Sequence, residues 1–87
     1  MVIKYRKEFW KRIAKAPDKI RLAFTERVRI FASDPFHPLL DNHKLTGKYE
    51  GCRSINITGD WRAIFREFKN YGLVNFETLG THNQLYK

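Results

Sequence analysis

His43 and His82, with Asp60 and the arginines Arg53, Arg62 and Arg66, are the residues of this chain best equipped for chemistry. Histidine takes up or releases a proton near neutral pH, and arginine offers a phosphate a permanently charged, two-pronged donor. Such a set suits proton transfer at a phosphate ester: a base, an acid, and cations where negative charge grows. Each residue also has a plainer use. A histidine near a strand end is often only solvated, aspartate is favoured in turns, and Arg53 shares parity with Ile55 and can lay its stem on the core. His37 has no such companions and reads as structural or exposed. The scattered histidines and the lone Cys52 have no metal-ligand spacing, so neither metal nor cofactor is expected.

The composition points to a polyanionic partner. Seventeen Lys plus Arg against nine Asp plus Glu leave a net charge of +8 on 87 residues, enough to favour nucleic acid or an acidic protein. A chain of this length builds one small domain, residues 1–87, around one modest core. One cysteine forms no internal disulfide, and no apolar run approaches the roughly 18 residues of a membrane span. A cytoplasmic protein without membrane contact is the expectation.

Hydrophobic spacing predicts the elements that carry these residues. Val2 to Arg6 alternates as a strand; Phe9, Trp10, Ile13 and Ala14 then follow helical spacing from Lys7 to Lys15. Ala16-Pro17-Asp18 ends that helix and starts another, with the proline in its first turn. Ile20, Ala23, Phe24, Arg27, Val28 and Phe31 carry the second stripe to Ser33. Pro35 to Lys44 reads as a loop whose Phe36, Leu39 and Leu40 tuck onto the fold.

Gly51 to Phe68 alternates again, as two strands. Facing residues of an antiparallel pair lie on one side of a sheet, so Ile55 must oppose Ala63 and Asn56 must oppose Arg62. That demands a three-residue turn at Thr58-Gly59-Asp60. A four-residue turn at Lys69 to Gly72 then sets Phe65 against Phe76 and Arg66 against Asn75, in a strand from Leu73 to Leu79. The order is β-α-α-β-β-β. This is an α+β fold in which a helical hairpin covers one face of a small, mainly antiparallel sheet. The other face, with Ser54, Asn56, Arg62, Arg66, Asn75 and Glu77, stays uncovered; Arg66 and Glu77 could pair across it.

His43-Lys44-Leu45-Thr46-Gly47, Gly51-Cys52-Arg53, Asp60-Trp61-Arg62-Ala63-Ile64-Phe65-Arg66 and Gly80-Thr81-His82 running to Leu85-Tyr86 stand in this element order. So arranged, the chain resembles the RelE/ParE toxin superfamily, and within it the YafQ-type messenger-RNA endonucleases. The resemblance spans nearly the whole chain and is strongest from His43 onward. It implies a RelE-like fold and a toxin that enters the ribosomal A site and cuts messenger RNA. The implied partners are the ribosome, messenger RNA and a cognate antitoxin that folds on binding, in a heterotetramer with the toxin. Matched residue by residue, the pattern implies catalytic roles for His43, Asp60, His82 and Arg62. Arg53, Arg66, Tyr86, Lys44, Lys48 and Asn56 would touch RNA. It departs at Asn56, where the YafQ-type pattern has another histidine; asparagine is no base at neutral pH. Two alternatives therefore stay open: a ParE-like toxin that inhibits DNA gyrase without cutting, and a homologue that has lost catalysis and only binds RNA or antitoxin.

Overall fold

The computed structural model describes residues 1–86. Strand β1 (Val2–Tyr5) gives way to helix α1 (Lys7–Lys15), which buries Phe9 and Ile13 and leaves its basic residues in water. Pro17 stands just before α2 (Asp18–Ser33) in extended conformation, one position earlier than expected. Its missing N–H is harmless there. Ile20, Phe24 and Phe31 are the buried stripe of α2. Arg27 tolerates its place beside that stripe by donating Nε to the Ile57 carbonyl at 3.2 Å.

The remaining strands are β2 (His43–Lys44), β3 (Arg53–Asn56), β4 (Trp61–Phe68) and β5 (Leu73–Thr81), and the sheet runs β1-β5-β4-β3-β2. Only β1 is parallel to its neighbour, β5. Ile55 opposes Ala63 and Asn56 opposes Arg62, as parity requires. The Ile57 N–H closes the turn on the Trp61 carbonyl at 2.9 Å. Phe65 opposes Phe76 and Arg66 opposes Asn75 across the second hairpin.

Four expectations need correction. First, β5 carries one extra residue: Phe65 faces Phe76 but Ile64 faces Thr78, so Glu77 is left over in a bulge. Strict alternation would have put Leu79 on the polar face; the bulge returns it to the core, opposite Ala63. Second, the stretch from Pro35 to Lys44 is not all loop. It holds a 3-10 turn, Pro38–Leu40, and the two-residue β2, too short to show a period. Third, only Leu40 of its apolar trio is buried; Phe36 and Leu39 remain 58% and 53% exposed. Fourth, the second face is partly covered. A short helix α3 (His82–Leu85) folds back there, and Leu85, Ile64 and Cys52 bury one another with Leu45 and Tyr49 alongside.

The main core lies between the helices and the other face of the sheet and is dominated by aromatic rings. Phe76 sits in the middle, with the rings of Tyr5, Phe9, Phe24, Phe31 and Phe65 centred 5.3 to 5.7 Å from its own. Pairs at such distances add to the area term of burial. No helix among the described residues is long and apolar enough to cross a membrane. Truncating Phe76 to Ala should lower unfolding free energy by about 3–5 kcal/mol, the usual cost of emptying so large a buried site. Urea denaturation followed by circular dichroism checks it, and a loss of less than about 1 kcal/mol would mean that this ring is not central.

Candidate active site

The face opposite the helices carries an open cleft of about 460 Å³, lined by Asp41, His43, Lys44, Leu45, Thr46, Ser54, Arg62, His82 and Tyr86. Its histidines come from opposite ends of the fold. His43 is on the edge strand β2, directly opposite Ser54. His82 opens α3, whose start is fastened twice. A capping box links Thr81 and Gln84, and the His82 N–H donates to the Asp60 carbonyl at 3.1 Å. Gly80 makes room for that cap, because a Cβ there would lie 3.0 Å from Gln84 Oε1 and 3.1 Å from the Arg12 guanidinium. Leu85, fully buried on Ile64, holds the other end of the helix.

His43 is oriented by its own loop. Asp41 adopts left-handed backbone geometry, φ 47°, and its carbonyl lies 2.7 Å from His43 Nδ1. A carbonyl oxygen only accepts, so this contact is a hydrogen bond when Nδ1 carries the proton, and the lone pair is then on Nε2. The Asp41 carboxylate stands 3.8 Å from the same nitrogen. Asn42, between them, ties the loop down. Its Nδ2 donates to the Pro35 carbonyl at 2.9 Å and to the Tyr71 hydroxyl at 3.1 Å, and its Oδ1 accepts from Arg53 Nε at 2.7 Å.

Arg62 uses Nη1 to staple the turn below it, donating to the carbonyls of Thr58, Gly59 and Trp61 at 3.1 to 3.2 Å. Its Nη2 and Nε have no hydrogen-bond partner among the described residues, so the guanidinium keeps donors for an anion. Ser54 is 1% exposed and its hydroxyl has no partner among the described residues. An unpartnered buried hydroxyl is uncommon and marks a place where water or a ligand fits. Tyr86 leans on the His82 ring at 5.0 Å and meets Tyr49 edge-to-face at 5.8 Å. Burial pushes its phenol above the ordinary range and Tyr49 adds to this, while the Arg62 charge pulls the other way. The hydroxyl is therefore neutral, and a donor, at physiological pH.

Of the residues singled out from sequence, His43, Lys44, Arg62, His82 and Tyr86 meet in this cleft. Asp60 does not line it; its carbonyl anchors His82 while its side chain is exposed in the turn. Asn56 faces Arg62 across the ladder with an unpartnered Oδ1. Arg53 lies on the other side of β3, bonded to Asn42 and set over the Phe36 ring at 5.5 Å. Lys48 covers the Tyr49 ring and reaches the Leu85 carbonyl at 3.5 Å. Arg66 does not pair with Glu77, which turns to Arg6 at 3.4 Å instead. Asp41, Thr46 and Ser54 line the cleft without having been singled out as site residues. Ser54 shares parity with Asn56 and could have been found that way; Asp41 shows only as a loop-former two residues before His43.

A mostly antiparallel five-stranded sheet backed by a helical pair is the fold shared by YafQ- and RelE/ParE-like toxins. The chain belongs to the YafQ family, described as bacterial toxins of type II toxin-antitoxin systems, whose model matches residues 1–87. Among solved structures it is similar to YafQ of E. coli, at 25% identity and TM-score 0.77, covering 98% of this chain and 97% of that one. It is also similar to the E. coli DinJ-YafQ toxin-antitoxin complex, at 26% identity and TM-score 0.74 over 98% and 96% of the two chains. A YoeB/ParE toxin from Agrobacterium tumefaciens shares the fold, with TM-score 0.76 at 18% identity over 94% and 99%. Among curated protein sequences none matches.

Two outcomes follow from this geometry. Asn42→Ala removes three hydrogen bonds from the His43 loop. It should destabilise the protein by about 1–3 kcal/mol and speed amide exchange from Asp41 to Lys44; unchanged exchange there would show that the loop holds without it. Second, unfolded Tyr86 ionises near its ordinary value of 10.0 and the folded phenol above it. The folded chain thus keeps that proton longer, so stability is full below this value and falls as pH rises through the folded one. Tyr86→Phe should lessen that alkaline fall in denaturant midpoint, and an identical fall in both proteins would contradict the assignment.

Proposed function

We propose that this protein is a ribosome-dependent endoribonuclease that cuts messenger RNA by acid-base chemistry and is neutralised by a cognate antitoxin. The observation that carries this reading is the meeting of His43 and His82, remote in sequence, in one cleft with Arg62. His43 Nε2 takes the proton from a 2′-hydroxyl, whose oxygen attacks the adjacent phosphorus. The bond from phosphorus to the 5′-oxygen breaks, and His82 gives that oxygen a proton. A 2′,3′-cyclic phosphate and a 5′-hydroxyl are left. Arg62 and the Tyr86 hydroxyl face the oxygens on which charge grows. Neither Asn56 nor Asp60 is needed as the base, because His43 has Nε2 free to accept when its Nδ1–H donates to the Asp41 carbonyl.

The cleft is open and cannot enclose an RNA strand, so the ribosome supplies positioning that a closed pocket would otherwise give. An antitoxin partner is supported by the DinJ-YafQ complex, in which a relative of this chain is held by its antitoxin. The net charge of +8 favours an acidic binding segment.

Primer extension on a messenger in a translating extract tests the assignment. His82→Ala and His43→Ala should each slow cutting by about 10²–10⁴-fold, the usual worth of a positioned acid or base. Both variants should keep the wild-type circular dichroism spectrum. Near-normal cutting by either folded variant would remove that histidine from the mechanism.

A further inference from the structure

On the same face, beyond the Ile64–Leu85 contact, lies a second cleft of about 380 Å³ that the chemistry above does not use. Thr78, Arg66, Lys48 and Lys7 are among its walls. His43, Ser54, Ile64 and Thr78 form one row across β2, β3, β4 and β5. Three interstrand steps of about 4.8 Å put Thr78 roughly 14 Å from His43, too far for one phosphate to touch both. Between the clefts stand Tyr49, which borders the second, and Tyr86, which borders the first.

The second cleft is built for an anion. Thr78 is 3% exposed and its hydroxyl has no partner among the described residues, repeating at this end of the row what Ser54 shows at the other. Arg66 has no carboxylate partner among the described residues. Its guanidinium occupies the space left by Gly51: a Cβ on that residue, whose φ is +89°, would lie 2.8 Å from Arg66 Nη1. The cleft's two carboxylates are both engaged, Glu77 with Arg6 at 3.4 Å and Glu8 with Arg12 at 3.7 Å. The uncommitted charge is therefore positive.

We propose that this cleft binds a second phosphate of the same RNA strand, with Arg66 and Thr78 as its donors and the Tyr49–Tyr86 step receiving an intervening base. The inference rests on the RNA-cutting reading above. The order cation, aromatic, cation across the face matches the phosphate, base, phosphate order of a single strand. A carboxylate-rich peptide has no use for the aromatic step.

The test is NMR titration with 2′-O-methyl RNA, which cannot be cut, over a range of salt. A dinucleotide, with one phosphate, is compared with a longer single strand. Arg66→Ala should weaken the longer strand about tenfold and leave the dinucleotide unchanged. The slope of log affinity against log salt should flatten by about 0.7, the contribution of one phosphate on a single strand. Thr78→Val, which keeps the shape and removes the hydroxyl, should weaken the longer strand alone, so the test does not depend on one variant folding. Equal losses on both lengths, or none, would overturn the subsite. So would an Arg66→Ala protein that binds RNA normally but loses an acidic antitoxin peptide. If His82→Ala stops cutting in the extract while Arg66→Ala leaves the salt slope untouched, the subsite fails and the nuclease reading stands. A wild-type chain that binds neither strand also overturns the subsite, while cutting in the extract still decides the nuclease reading by itself.

Discussion

Ile64 is an apolar residue on the polar side of the sheet, and much of the candidate site follows from the need to cover it. It alternates with Arg62 and Arg66, so parity points it away from the helices, and it is nonetheless fully buried. Leu85 covers it, with Cys52 and the edges of Leu45 and Tyr49. Burying a Leu and an Ile side chain contributes about 1.5–3 kcal/mol each. That suffices to bring the last strand back over the sheet as a helix too short to persist alone. His82 and Tyr86 ride on this helix and reach the cleft where His43 waits on the opposite edge.

The two faces divide the work of the molecule. Stability is concentrated on the helical side, around rings packed on Phe76. On the other side, buried hydroxyls without partners and guanidinium groups with spare donors persist, features that weaken a fold unless a ligand answers them. The bulge at Glu77 serves both faces. It returns Leu79 to the core, and its extra residue, Glu77, pairs with Arg6 and not with Arg66.

Much of this was legible in the residues alone because period-two alternation is a hard constraint. Asn56 opposite Arg62 and Phe65 opposite Phe76 followed from parity without any tertiary information, and helical spacing with its proline breaks gave the extents of both long helices to within a residue. The bulge was missed: Leu79 falls out of phase with Val74 and Phe76, but only the pairing with β4 shows that Glu77 is the extra residue. Strand β2 was hidden by its length, since two residues have no period. The short α3 carries a Thr81–Gln84 capping box that could have announced it. Of the cleft, the residue types pointed to His43, Arg62 and His82, whereas the role of the Asp41 carbonyl is a backbone contact that no side-chain identity encodes.

The link from this geometry to RNA cutting is the pair of proton transfers assigned to His43 and His82 across a 2′-hydroxyl and a 5′-oxygen. The chemistry of the new RNA ends reads it most directly, with cutting carried out on translating ribosomes and the fragments analysed by mass spectrometry. Acid-base catalysis by the two histidines predicts a 2′,3′-cyclic phosphate on one fragment and a 5′-hydroxyl on the other. Fragments bearing 5′-phosphates and 3′-hydroxyls would contradict it.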